Sequence, residues 1–107
     1  SIKNGWFRTG DLALITPDGF VELKGRNDDV INVGGKKVFP QEIEDTINQY
    51  PDIKDSVCIA VSARLLGEQI KAYVEMEPSK RFDKEGMIEY LRAFLEPYKI
   101  PAQFEVI

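Results

Sequence analysis

Histidine is absent from this 107-residue sequence, and cysteine and tryptophan occur once each. Without an imidazole there is no Ser-His or Cys-His nucleophile pair, and most zinc ligand sets are lost as well. A single cysteine rules out an internal disulfide framework. Cys58 lies inside the apolar run Val57-Cys58-Ile59-Ala60-Val61, where a thiol acts as a small hydrophobe. No apolar run approaches the roughly 20 residues of a membrane-spanning helix. The N-terminus has no signal-peptide pattern, so the expectation is a cytoplasmic protein with no membrane span. Lys and Arg number 14 against 18 Asp and Glu, for a net charge of −4. The basic residues form no block, so nucleic acid is not an expected partner.

What is present suits one domain with a modest core. Leu12-Ala13-Leu14-Ile15 and Phe20-Val21-Glu22-Leu23 flank Thr16-Pro17-Asp18-Gly19, a turn sequence in which proline presets φ and glycine accepts φ > 0. These residues predict a β-hairpin, which needs a larger body to lean on. Val30 to Val33 and Lys37 to Phe39 predict two short strands around Gly34-Gly35. Pro40 suits the first position of a helix, and Glu42, Glu44 and Asp45 suit the positive end of its dipole. Ile43, Ile47 and Tyr50 form its apolar face, and Pro51 is expected to stop it.

Val57 to Val61 reads as a strand buried on both faces. A turn at Leu66-Gly67-Glu68 leads to alternating Ile70, Ala72, Val74 and Met76, a half-buried strand with Lys71, Tyr73 and Glu75 facing outward. Asp83 is placed to cap a helix running to about Glu96, with Phe82 and Met87 as its hydrophobic staple. Its expected apolar face is Met87, Ile88, Leu91, Phe94 and Leu95, and Gln103 to Ile107 reads as a last strand. The fold class is α+β: an N-terminal β-hairpin lead, then a small domain with a sheet of about three strands covered by two helices, plus a short hairpin.

The stretch from Lys24 to Glu44 organises the rest. Arg26 crosses with Asp28 and Asp29 between two β-rich regions, the pattern of a joint or of a charged surface loop. Gly34-Gly35 followed by Lys36-Lys37 is either a tight turn alone or a backbone that a ligand approaches closely.

Three separated stretches coincide in order: Gly5-Trp6-Phe7-Arg8-Thr9-Gly10-Asp11-Leu12, Gly25-Arg26-Asn27-Asp28-Asp29, and Gly34-Gly35-Lys36-Lys37-Val38-Phe39-Pro40-Gln41-Glu42-Ile43-Glu44. Gly67-Glu68 and Pro97-Tyr98-Lys99-Ile100-Pro101 follow. Together they resemble the C-terminal part of the adenylate-forming enzymes, and acyl-CoA synthetases more than the amino-acid-activating domains of nonribosomal peptide synthetases. The resemblance implies an AMP-forming ligase. A carboxylic acid reacts with ATP and Mg2+ to give an acyl-adenylate, and the acyl group then passes to a thiol of coenzyme A or a carrier protein. Residues 1–25 are expected to be the tail of a large N-terminal domain, and residues 26–107 a small mobile domain that partners it.

The resemblance also assigns roles. It implies nucleotide ribose contacts for Asp11 and Arg26, a hinge at Asp28, and a thiol tunnel lined by Gly34, Gly35 and Lys37. No metal ligand is assigned. The family's terminal catalytic lysine lies in a Pro-Lys…Gly-Lys segment that has no counterpart before Ile107, and Lys99 does not take its place. No catalytic residue is therefore expected in this chain, which alone is expected to be inactive. The competing reading is an α+β interaction module without chemistry.

Overall fold

The computed structural model describes the backbone of residues 6–9, 11–16, 19–23, 30–63 and 67–107, with side chains from residue 30 onward except around the 63–66 loop. Three strands open the chain: β1 (Trp6–Thr9), β2 (Asp11–Thr16) and β3 (Gly19–Leu23). They form an antiparallel sheet in that order, with Leu14 facing Val21 and Ile15 facing Phe20 across the hairpin. The hairpin was legible in its turn residues. β1 was not, because Trp6-Phe7-Arg8-Thr9 is too short to show an alternating pattern.

The main sheet contains five strands. β4 (Ile31–Val33) and β5 (Lys36–Val38) form the short hairpin, followed by α1 (Pro40–Ile47), β6 (Ile53–Ala63), β7 (Gly67–Met76), α2 (Lys84–Arg92), a 3-10 turn at Pro97–Lys99 and β8 (Gln103–Val106). The order across the sheet is β5-β4-β7-β6. One edge of β7 pairs along its length with β6. Its other edge meets β4 at Gly67 and runs parallel to β8 from Lys71 to Val74. The expected three-stranded sheet and the separate hairpin are thus one sheet, joined through the pair Val33–Gly67.

Ile43 and Ile47 of α1 and Met87 and Leu91 of α2 pack with Ile31, Val38, Cys58, Ala60, Ala72 and Val74 in a single core. Pro40 begins α1, but the helix ends at Ile47, before Pro51. Asp83 caps α2 as its sequence implies, Oδ1 accepting from the Gly86 amide at 3.0 Å. That helix stops at Arg92, so Phe94 falls in the turn beyond it and is 66 % exposed, against the expectation that it joins the apolar face. Phe82 packs on the core and its ring lies 5.4 Å from that of Phe104.

Two readings change once the layers are known. Tyr73, expected on the outward face of β7, is only 2 % exposed. It lies opposite Val57 of β6 and under the Lys71 ammonium, 4.7 Å from the ring centroid. The second face of the β6–β7 pair therefore also buries apolar side chains, Val57, Ile59 and Tyr73, beside Lys71 and Glu75. Glu44, read as a charge for the helix dipole, is 7 % exposed and accepts a hydrogen bond from the Cys58 amide at 2.7 Å. β6 is an outer strand of the sheet. An outer strand leaves backbone donors unpaired, and the Glu44 carboxylate satisfies one of them.

Candidate functional site: the paired-glycine turn

Gly34 and Gly35 join β4 to β5 in two residues, with φ of +57° and +85°. Positive φ at both central positions is the type I′ pattern, whose twist matches that of the flanking strands and which strongly selects glycine. A Cβ built on either residue meets nothing within 4 Å. The glycines are thus required by backbone conformation, and the space in front of them is open. The turn stands at the outer end of the sheet, on strands of three residues each. Such a position leaves backbone exposed to anything that approaches.

The flanks of the turn are polar. Lys37 is exposed on β5 opposite Asn32. The Asn32 amide donates to Glu68 Oε1 at 3.0 Å, linking β4 to the start of β7. On the other side, Lys36 Nζ lies 4.9 Å from the centroid of the Tyr98 ring. Lys99 Nζ donates to both carboxylate oxygens of Glu42, at 3.1 and 3.2 Å, and lies 3.7 Å from Glu96. The Glu42 hydrogen bond holds the Lys99 ammonium above its ordinary pKa, although desolvation opposes the shift. A hydrogen bond to Glu96, followed by burial, raises Tyr98 in the same way.

Of the residues singled out in the sequence, Gly34, Gly35 and Lys37 come together here. Asp11 opens β2 and pairs with Thr9, and its side chain lies outside the described residues. Arg26 and Asp28 also lie outside them. The Tyr98–Lys99 flank belongs to a stretch that carries the family resemblance, but the sequence assigns it no role at the turn. Its sequence signal was Tyr-Lys held between two prolines, which marks a rigid segment without saying what it touches. Among the described residues no group of three His, Cys, Asp or Glu could hold a metal ion, and no helix is long and apolar enough to cross a membrane.

The family model for the AMP-binding enzyme C-terminal domain matches residues 42–107. A long-chain-fatty-acid–CoA ligase of Escherichia coli O6:H1 is 36 % identical over 105 residues, covering 97 % of this chain and 18 % of the relative. A 2-succinylbenzoate–CoA ligase of Staphylococcus aureus is 36 % identical over 107 residues, covering 100 % of this chain and 21 % of the relative. Among solved structures, the chain is similar to an o-succinylbenzoate CoA synthetase from Bacillus subtilis in complex with its acyl-adenylate intermediate. That similarity has a TM-score of 0.70 and 30 % identity, over 97 % of this chain and 21 % of the other. The chain spans about a fifth of the length of the relatives it matches.

Proposed function

The chain belongs to the family of AMP-binding enzyme C-terminal domains, and on that premise we propose that it serves an AMP-forming acid–thiol ligase as the domain that alternates between two half-reactions. In the first, a carboxylate oxygen of the acid attacks the α-phosphorus of ATP, and pyrophosphate leaves. In the second, a thiolate, that of coenzyme A, attacks the acyl carbonyl, and AMP leaves. Residues 1–25 belong with the large domain and residues 26–107 form the mobile one. The observation that carries this reading is the exposed Gly34–Gly35 turn, open to approach and held in positive φ, within a chain whose relatives are CoA ligases.

The residues then take distinct roles. The Asp11 carboxylate accepts hydrogens from the ribose hydroxyls of ATP, and Arg26 lies near the same sugar. Asp28 absorbs the φ/ψ change of rotation, as a few loop residues do in hinged proteins. Gly34, Gly35 and Lys37 line the path of the thiol. The domain contributes orientation and exclusion of water more than proton transfer. Mg2+ accompanies ATP, and no residue of this chain is assigned to it. The relatives' acids point to a carboxylic-acid substrate, bound by the large domain.

The test uses the full-length ligase with palmitate and 2-succinylbenzoate, the acid classes of the relatives. Asp28→Pro, which restricts φ, should leave ATP–pyrophosphate exchange near wild type and abolish thioester formation from preformed adenylate. Asp11→Ala should weaken ATP binding, each lost charge-assisted bond being worth roughly 1.5–3 kcal/mol, and leave acid binding unchanged. Equal loss of both half-reactions in a folded Asp28→Pro protein would contradict the alternation.

A further inference from the structure

The Gly34–Gly35 turn cannot orient itself. β5 is an outer strand, each arm has three residues, and among the described residues β4 meets the rest of the sheet at one backbone pair, Val33–Gly67. A two-stranded hairpin is marginal in water. Ile31 and Val38 anchor the base of this one in the core, but neither glycine has a side chain with which to fix the tip.

The contacts that reach the tip come from two sides. Glu68 holds Asn32 on the β4 side. On the β5 side, two ammonium groups lie near the Tyr98 ring, Lys36 at 4.9 Å and Lys99 at 5.9 Å from its centroid. Both lie within the roughly 6 Å over which a cation is attracted to a ring face. Lys99 is itself pinned. Its side chain is only 17 % exposed, and Nζ is bonded to Glu42 in the first turn of α1. Glu42 stands four residues beyond Val38, the end of β5. The 3-10 turn, the start of α1 and the tip of the hairpin are therefore connected through two neighbouring side chains.

We infer that Tyr98 and Lys99 are positioning residues that tether the Gly34–Gly35 turn for the thiol-transfer step. Tyr98 acts through Lys36, and Lys99 acts by fixing Tyr98 against α1. Neither touches a reacting atom. This rests on the proposed role of the turn, and it adds the elements that aim it. Conversion of a contact from fixed to mobile matters here because misplacement by about 1 Å costs on the order of a hundredfold in rate.

The experiment compares Tyr98→Ala, Tyr98→Phe and wild type in the full-length ligase, by amide hydrogen exchange and by both half-reactions. Preformed palmitoyl- and 2-succinylbenzoyl-adenylates with coenzyme A serve as probes. Tyr98→Ala should accelerate exchange at residues 34–37 and lower the thioester-forming kcat roughly ten- to a hundredfold, with pyrophosphate exchange unchanged. Tyr98→Phe keeps the ring beneath Lys36 and should restore both, although it loses the phenolic hydrogen bond. Unchanged exchange at the turn in Tyr98→Ala, or a Tyr98→Phe protein no better than Tyr98→Ala, would overturn the tether. Faster exchange with intact thioester formation would support the tether and overturn the functional reading of the turn. Should Tyr98→Ala not fold, Lys99→Met against Lys99→Arg asks the same question. Only Arg keeps the charge opposite Glu42, and equal turn exchange in the two would overturn the tether.

Discussion

The two ends of the main sheet are built on different terms. At one end, β6 and β7 pair at ten positions, both faces of the pair bury apolar side chains, and α1 and α2 pack on one of them. At the other, among the described residues, β4 and β5 pair at three positions and join β7 at one. The first end is held by buried surface and loses stability when a side chain is cut. The second is anchored at its base by Ile31 and Val38, but its tip is held by a few polar and cation–ring contacts, so a change at the tip alters where a loop points. Stability and activity are therefore expected to respond to different residues, and substitutions can be chosen to separate them.

The largest expected stability effect belongs to the helix-covered end. Ile47→Ala empties a fully buried site in the core between α1 and β6, and such truncations cost about 2–5 kcal/mol. Urea melts of the mutant domain should show it. A loss below about 1 kcal/mol would mean that the contrast between the two ends is weaker than drawn.

Glu44→Ala comes next. It leaves the buried Cys58 amide without its carboxylate acceptor, at about 1–3 kcal/mol. The same melts check it, with hydrogen exchange at Cys58 expected to rise. Asp83→Ala removes the cap of α2 and should cost about 0.5–2 kcal/mol. An unchanged midpoint would show that α2 is held by packing alone.

The smallest effect concerns pH. Burial raises Tyr90, and the Glu96 hydrogen bond raises Tyr98. The Glu42 hydrogen bond raises Lys99. Burial alone would lower Lys71, but its contacts with Glu105 and Tyr73 prevail and raise it. In each case the folded protein holds the proton more tightly than the unfolded chain. The resulting stabilisation is complete below the ordinary values of 10.0 for tyrosine and 10.5 for lysine, and is lost as pH rises through the higher folded values. These groups predict a melting temperature that is level from about pH 7 to about pH 9 and declines above about pH 10. A decline already at neutral pH would assign the dependence to other groups.

The sequence was most legible where local chemistry decides. The glycine pair reads as a turn, Pro40 as the first position of a helix and Asp83 as a helix cap, and the structure has all three. The apolar run from Val57 to Val61 is buried as its continuity implies from Val57 to Ala60, with Val61 half-buried. It was least legible where a distant partner decides. Glu44 shares the helical face of Pro40, Ile43 and Ile47. That placement was visible in the spacing, but the Cys58 amide that makes burial tolerable is 14 residues away. Tyr73 was assigned outward by its alternation with Ala72 and Val74, and only its position opposite Val57 shows a second apolar face. For the candidate site, the turn was legible and its supports were not, because Tyr98 and Lys99 reach Lys36 and Glu42 only after the chain has crossed the sheet.

The central claim is that the Gly34–Gly35 turn serves the thiol step and not adenylation, and Gly35 offers the most direct measurement. Gly35→Leu places a bulky side chain in the open space before the turn, while Gly35→Asn accepts the same positive φ with a smaller one. Both variants of the full-length ligase should be assayed for ATP–pyrophosphate exchange and for thioester formation on the same samples, alongside a melting curve. Folded Gly35→Leu protein should retain pyrophosphate exchange and lose thioester formation, with Gly35→Asn between it and wild type. Equal loss of the two half-reactions in folded Gly35→Leu, or full thioester formation, would contradict the account.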